Sequence, residues 1–224
     1  SKTPLRTEQY KLTGSVGSQG YREATADFNK PLDTETALRI NLMQRDEGSW
    51  RSNPATGSEP EIHRKGLALS LGLNLRTDNQ FWINHYHLRT RDNPDYGISF
   101  DAATRQPNGR LPQSYFWGID RTFDHSDTSI TTFVNELRLS GGDRLRTQLR
   151  VADYERSYWA KTPNLTTAPN VLGSVGGNQT RIADYETVTL QTDYDTRFRA
   201  LGMQHELLAG FEYLDPPDVT SIWP

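Results

Sequence analysis

Between Asp92 and Asp127 the chain sets arginines among flat side chains. Arg105, Arg110 and Arg121 stand with Tyr96, Tyr115, Phe116 and Trp117 in a stretch rich in Gly, Pro, Asn, Asp and Ser. Guanidinium groups take up anionic charge through forked hydrogen bonds, and aromatic faces stack on planar groups or cations. The same residue types also pack a loop onto itself or form an interfacial girdle. Other constellations carry less. His85 and His87 fall on one side of a strand at a spacing that can bind a metal, but two ligands fall short of a site and no Cys accompanies them, so they read as polar residues of a lumen or rim. Gly-Ser-Val-Gly occurs at 14–17 and 173–176, without the strand–helix context that cradles phosphate. Asn164-Leu165-Thr166 and Asn178-Gln179-Thr180 fit the glycosylation triplet by chance. No Ser-His-Asp arrangement can be placed and no acid–base pair stands out, so the sequence reads as neither an enzyme nor a cofactor protein.

The elements that must hold that loop show a two-residue period. Leu67, Leu69, Leu71, Leu73 and Leu75 alternate with Gly66, Ala68, Ser70, Gly72 and Asn74. Leu38, Ile40 and Leu42 alternate with Arg39, Asn41 and Met43, while Leu145, Thr147, Leu149 and Val151 alternate with Arg146, Gln148, Arg150 and Ala152. Such strands meet an apolar medium on one side and a polar one on the other. Arg146, Arg150, Arg138 and Glu136 fall on the side away from the leucines. No sustained helical period is present.

Nine strands are predicted, over residues 8–15, 21–29, 37–45, 62–75, 81–91, 129–140, 144–158, 185–194 and 205–213. Compact turns at Lys30-Pro31-Leu32-Asp33, Arg76-Thr77-Asp78-Asn79 and Ser140-Gly141-Gly142-Asp143, and a looser one over 195–202, alternate with long loops at 45–60, 92–127 and 160–183. Short turns at one rim and long loops at the other describe an outer-membrane barrel with its short rim periplasmic. The fold class is therefore all-β: an antiparallel up-and-down meander forming part of a transmembrane barrel. An odd strand count ending in Asp215-Pro216-Pro217 suggests a fragment, because single-chain bacterial barrels have even counts. Trp50, Tyr154, Tyr158, Trp159 and Tyr185 lie at loop-side strand ends, where an aromatic girdle belongs. Strand parity also puts Tyr154 and Tyr158 with the inward arginines. Composition excludes little: 28 acidic and 25 basic residues leave a net charge of −3, too small to suggest nucleic acid, and there is no cysteine.

The opening Ser1-Lys2-Thr3-Pro4, then 12–22 (Leu-Thr-Gly-Ser-Val-Gly-Ser-Gln-Gly-Tyr-Arg) and Ala26-Asp27-Phe28-Asn29-Lys30-Pro31-Leu32, resemble TonB-dependent siderophore receptors just after their plug domain. Ala37-Leu38-Arg39-Ile40-Asn41 is similar to the next strand of those receptors. Arg91-Asp92-Asn93-Pro94-Asp95-Tyr96-Gly97-Ile98 resembles an extracellular loop of the catecholate-type members.

That resemblance implies a barrel of about 22 strands with a plugged lumen in the bacterial outer membrane, importing a ferric siderophore on energy relayed by TonB. It divides the chain into a post-plug segment (1–7), barrel strands and loops (8–213) and an atypical tail (214–224), with the plug and TonB box absent. The implied partners are a catecholate-like ferric siderophore, TonB through those absent parts, and outer-membrane lipid. Ferric catecholates are anionic and carry rings, so Tyr96, Arg110, Tyr115 and Trp117 become the expected lining of an outer vestibule, and the inward arginines are placed to meet a plug or water. Other readings are a different outer-membrane barrel, a porin or adhesin, and a soluble β-sandwich binding module or hydrolase.

Overall fold

The computed structural model describes residues 2–101, 103–164, 167–169, 178–215 and 220–222, with the backbone alone described at 178, 179 and 220–222. All the regular elements are strands: β1 Gln9–Val16, β2 Arg22–Pro31, β3 Ala37–Glu47, β4 Ile62–Leu73, β5 Asn79–Asp92, the two-residue β6 Phe100–Asp101 and β7 Gln106–Pro107, β8 Phe123–Arg138, β9 Arg144–Lys161, β10 Asn178–Ala200, β11 Met203–Asp215 and β12 Thr220–Ile222. The nine long strands pair antiparallel in the order β1-β2-β3-β4-β5-β8-β9-β10-β11, an open meander whose two edge strands do not meet. All nine predicted strands are present. The second Gly-Ser-Val-Gly and part of the first glycosylation triplet lie outside the described residues.

Directly opposed residues of an antiparallel pair face the same way, so the register carries each row across the sheet. One row runs Leu38, Leu71, Ile83, Phe133, Leu149, Leu190, Tyr213. Another runs Tyr10, Phe28, Ile40, Leu69. Many of these side chains are exposed, including Leu12 and Leu42 of the neighbouring row and Ile83, Phe133, Leu149 and Tyr213. On the opposite face Asp27, Asn29, Arg39 and Ser70 are buried. A soluble sandwich buries its apolar face under a second layer; here the apolar face is bare and the polar face is covered. That inversion is the wall of a membrane barrel, lipid outside and lumen inside.

His85 and His87 correct one expectation. They pair with Thr131 and Ser129 and lie in register with Leu69 and Leu67, so they share the outer face rather than the lumen. Each Nδ1 is satisfied by the opposing hydroxyl, at 3.0 Å to Thr131 Oγ1 and 2.9 Å to Ser129 Oγ. Among the described residues no group of His, Asp or Glu could hold a metal.

Three strands outrun their predicted bounds by three residues or more at one end or both. β8 begins at Phe123, β9 runs to Lys161, and β10 has 23 residues, roughly 75 Å at a strand's rise against the ten or so that cross a bilayer. Beyond the membrane a strand needs no apolar alternation, so the polar sequence there gave no sign of it. The looser turn at 195–202 is instead a two-residue hairpin at Leu201 and Gly202, with φ of 52° and 76°. Both residues are left-handed, as a tight hairpin requires, but Leu-Gly is not the usual Asn-Gly signal for it. At the same rim the Asp33 carboxylate accepts the N–H groups of Glu35 and Thr36, both at 2.7 Å, and is held below the usual carboxylate range by them. The tail after Asp215 returns as β12 beside β10, at Ile182–Asp184.

The N-terminal residues are strapped to the inner wall. Arg39 donates to both Asp27 oxygens at 2.8 Å and to the Thr3 carbonyl at 2.9 Å. Lys2 adds a third cationic contact to Asp27 at 2.7 Å. The Asn29 amide receives the Leu5 N–H and donates to the Leu5 and Thr7 carbonyls.

The first two long loops pack against each other. Residues 48–61 and 93–122 form one unit: Ser52 N–H donates to Ser114 O, Phe116 N–H to Ser52 O, Asn53 Nδ2 to Gly118 O, and Arg51 pairs with Asp95 at 3.0 Å. Phe116, Trp117 and Ile119 are its buried apolar centre. A Cβ on Gly118 would lie 2.2 Å from Phe116 Cζ and 2.6 Å from Thr122 Oγ1. Phe116 is fully buried and cannot move aside, so Gly118→Ala is expected to cost about 1–3 kcal/mol in that unit. Hydrogen exchange confined to 48–61 and 93–122 should rise in this variant while the strands stay protected.

Candidate functional site

At the long-loop end of the inner face the register assembles three rows from five strands. Arg64, Thr90, Ser126, Arg156 and Ala183 form one; Asp92, Asp124, Tyr158 and Arg181 form the next; Thr128, Tyr154 and Tyr185 lie in the third. They line a cavity of about 590 Å³, within the range of small-molecule sites.

Electrostatics divide its cations. Arg64 donates through Nε and Nη2 to Asp92 at 3.0 and 2.6 Å, and Arg156 donates the same way to Asp124 at 3.0 and 2.7 Å. Arg181 makes no ion pair among the described residues, leaving a cation for a ligand to recruit. Three tyrosines supply the flat surfaces. Tyr154 stacks on Tyr185 with ring centroids 4.9 Å apart, Arg150 Nη2 donates to the Tyr154 hydroxyl at 2.5 Å, and the Arg156 guanidinium lies over Tyr158 at 5.2 Å. The arrangement can bind a planar anion; it contains no nucleophile–base pair.

The four residues chosen from the sequence are dispersed. Tyr96 lies beside the cavity, where it senses the charge of Asp124; burial first and that charge second push its hydroxyl pKa up to about 12. Trp117 is only 2 % exposed and belongs to the loop's own packing, as does half-buried Tyr115, which bridges to Ser52. Arg110 is exposed on the loop, away from the cavity lining. Tyr185, read from the sequence as a girdle position, lines the cavity instead, together with Tyr154 and Tyr158, which stood between girdle and vestibule. Parity with Arg150 pointed to Tyr154 and Tyr158; Tyr185 and Arg181 needed the pairing of β9 with β10. Trp50 is exposed beneath Arg51 in the first long loop.

The Tyr96 hydroxyl is buried with no hydrogen-bond partner among the described residues. Tyr96→Phe removes that unmet donor, so the ligand-free loop is expected to gain about 1 kcal/mol, read as slower hydrogen exchange over 93–122.

An inverted antiparallel sheet, long strands rising into packed outer loops and an aromatic, cationic recess at their inner mouth define the wall of an outer-membrane β-barrel. The chain resembles TonB-dependent catecholate siderophore receptors over nearly its whole length. It is 24% identical over 232 residues to the catecholate siderophore receptor Fiu of Escherichia coli O157:H7, covering 95% of this chain and 30% of that protein. It is 27% identical over 216 residues to the probable TonB-dependent siderophore receptor PiuA of Acinetobacter baumannii, covering 90% and 28%. The crystal structure of the siderophore receptor PiuA from Acinetobacter baumannii superposes with a TM-score of 0.79 at 23% identity, covering 96% of this chain and 31% of that one. No protein-family model matches. The chain thus spans about 30% of the length of these curated relatives, which are named as receptors rather than enzymes.

Proposed function

We propose that this chain is the leading part of the barrel of a TonB-dependent outer-membrane receptor, and that its inner mouth receives an anionic, aromatic ferric siderophore of the catecholate class. The observation that carries this reading is the Tyr154–Tyr185 stack beside Arg181, inside a recess at the outer end of the lumen. In this reading residues 1–7 are the segment joining a plug to the wall, 8–213 the strands and loops, and 214–224 a tail whose first two residues still belong to β11. TonB would act on parts of the receptor outside this chain. A second recess, lined by Thr3, Glu136, Arg146 and Arg150 on the inner wall, supports the plug contact. Tyr96 stays in the proposed site at its margin; Arg110, Tyr115 and Trp117 act through the loop, by presenting charge or holding its shape.

The test is ferric-catecholate binding to a receptor carrying this segment, read by quenching of tryptophan fluorescence in detergent. Saturable binding is expected. No response to any ferric siderophore tried would favour a porin or adhesin barrel.

A further inference from the structure

The outer face changes character within one row. Ala26, Leu42 and Leu67 form the last apolar row of β2–β4; directly above it lie Ala24, Gln44, Lys65 and Arg89. Above that again come Arg22, Asp46 and His63. Lys65 and Arg89 are cross-strand partners on the same face, an arrangement of like charges that destabilises a sheet unless something neutralises it. Lys65 is exposed and makes no ion pair among the described residues. Arg89 shares the single Asp127 carboxylate with Arg91, at 2.8 Å from Arg89 Nε, while Asp46 already holds Arg22 and His63. Past β8 the row turns acidic at Glu155 and Asp184, which confines the basic patch to β4 and β5 and their immediate neighbours.

We propose that the outward-facing Lys65–Arg89 pair, one row above the leucine belt, seats a phosphate of an outer-leaflet lipid. The inference rests on the outer-membrane reading above. Its occupant follows from position: a ligand there must bring negative charge to Lys65 and Arg89 and an apolar body to Leu42 and Leu67, and a phosphorylated lipid in the surrounding leaflet supplies both. A free phosphate would gain nothing from the belt. Juxtaposed basic residues at a leaflet surface attract anionic headgroups by the same electrostatics.

The experiment loads a receptor carrying this segment, in detergent, with bis-phosphorylated lipid A or with its dephosphorylated form, and weighs the retained lipid by native mass spectrometry. The wild type should retain the phosphorylated form at least fivefold better. Lys65→Ser/Arg89→Ser should lose that preference, while Arg76→Ser, a matched charge loss in the opposite-rim turn, should keep it. Equal retention of the two lipids by the wild type, or an unchanged preference in the double variant, would overturn the proposal. Should the double variant lose the heat-modifiable gel mobility of a folded barrel, the wild-type comparison still decides. A receptor that binds no ferric siderophore but keeps the lipid preference supports this site and overturns only the ligand reading.

Discussion

Replacing Asp27 by alanine is expected to lower the stability of a receptor carrying this segment by about 3 kcal/mol, measured by urea unfolding in detergent micelles. The number sits at the low end of what breaking a buried ion pair costs, because only one layer of chain, residues 2–7, covers this pair on the lumen side. The loss has three parts. Arg39, 8 % exposed at its side chain, would keep its charge with both forked bonds gone. Lys2 would lose its carboxylate partner. The Thr3 carbonyl would be left on a guanidinium no longer held in place. Removing both members with apolar replacements, Asp27→Ala/Arg39→Leu, should recover much of the cost, since no unpaired charge then remains in the wall. A double variant as unstable as the single one would mean that the strap of residues 2–7, rather than the ion pair, supplies the stability. Asn29 gives an independent check: Asn29→Leu keeps the volume but abandons the Leu5 N–H and two carbonyls, and hydrogen exchange at Leu5 should rise without disturbing Asp27.

The strap also shows what the sequence does and does not display. The two-residue period at Leu67–Leu75 reveals both the strand and its lipid face, because a membrane wall imposes alternation directly on residue type. It reveals nothing about strand length outside the bilayer, where the 180s and late 190s of β10 are free to be polar. His85 and His87 mislead for the opposite reason: they sit on the lipid-side face, but each is satisfied by a hydroxyl across the strand pair, so polarity alone assigned them to the wrong side. Trp117 looked available because it lies in a polar loop; it is buried because residues 48–61 fold over it, a contact made across tens of residues of sequence. The vestibule was half legible. Parity aligned Tyr154 and Tyr158 with Arg150 on one strand, but the opposition of Tyr154 to Tyr185 and of Tyr158 to Arg181 is a matter of register, which period alone leaves open.

That register is what makes Arg181 the most informative residue in the proposed site. Arg64 and Arg156 are each committed to a carboxylate, so a ligand drawing on either must compete with Asp92 or Asp124. Arg181 can be recruited without breaking a pair. It opposes Tyr158 and stands two residues along the inner face of β10 from Ala183 and four from Tyr185, close enough for one ligand to meet the guanidinium with its charge and the Tyr154–Tyr185 stack with a ring. Arg181→Ala is therefore expected to weaken ferric-catecholate binding about tenfold, which corresponds to ~1.4 kcal/mol, modest for a charge-assisted contact because the residue is exposed. Adding Tyr185→Ala should bring the loss to about a hundredfold, since a stacked ring contributes a comparable amount. The affinity of the wild type should fall with added salt, and the Arg181 variant should show a shallower dependence, because one screened attraction is gone. Arg146→Ala, lower on the inner wall and already donating to Gln148, serves as the control and should leave affinity unchanged. Titration by tryptophan quenching across these variants checks the whole set. Undiminished affinity in the Arg181/Tyr185 double variant would move the ligand out of this recess, and equal losses in the Arg146 control would mean that the barrel's general positive potential, rather than a built site, gathers the anion.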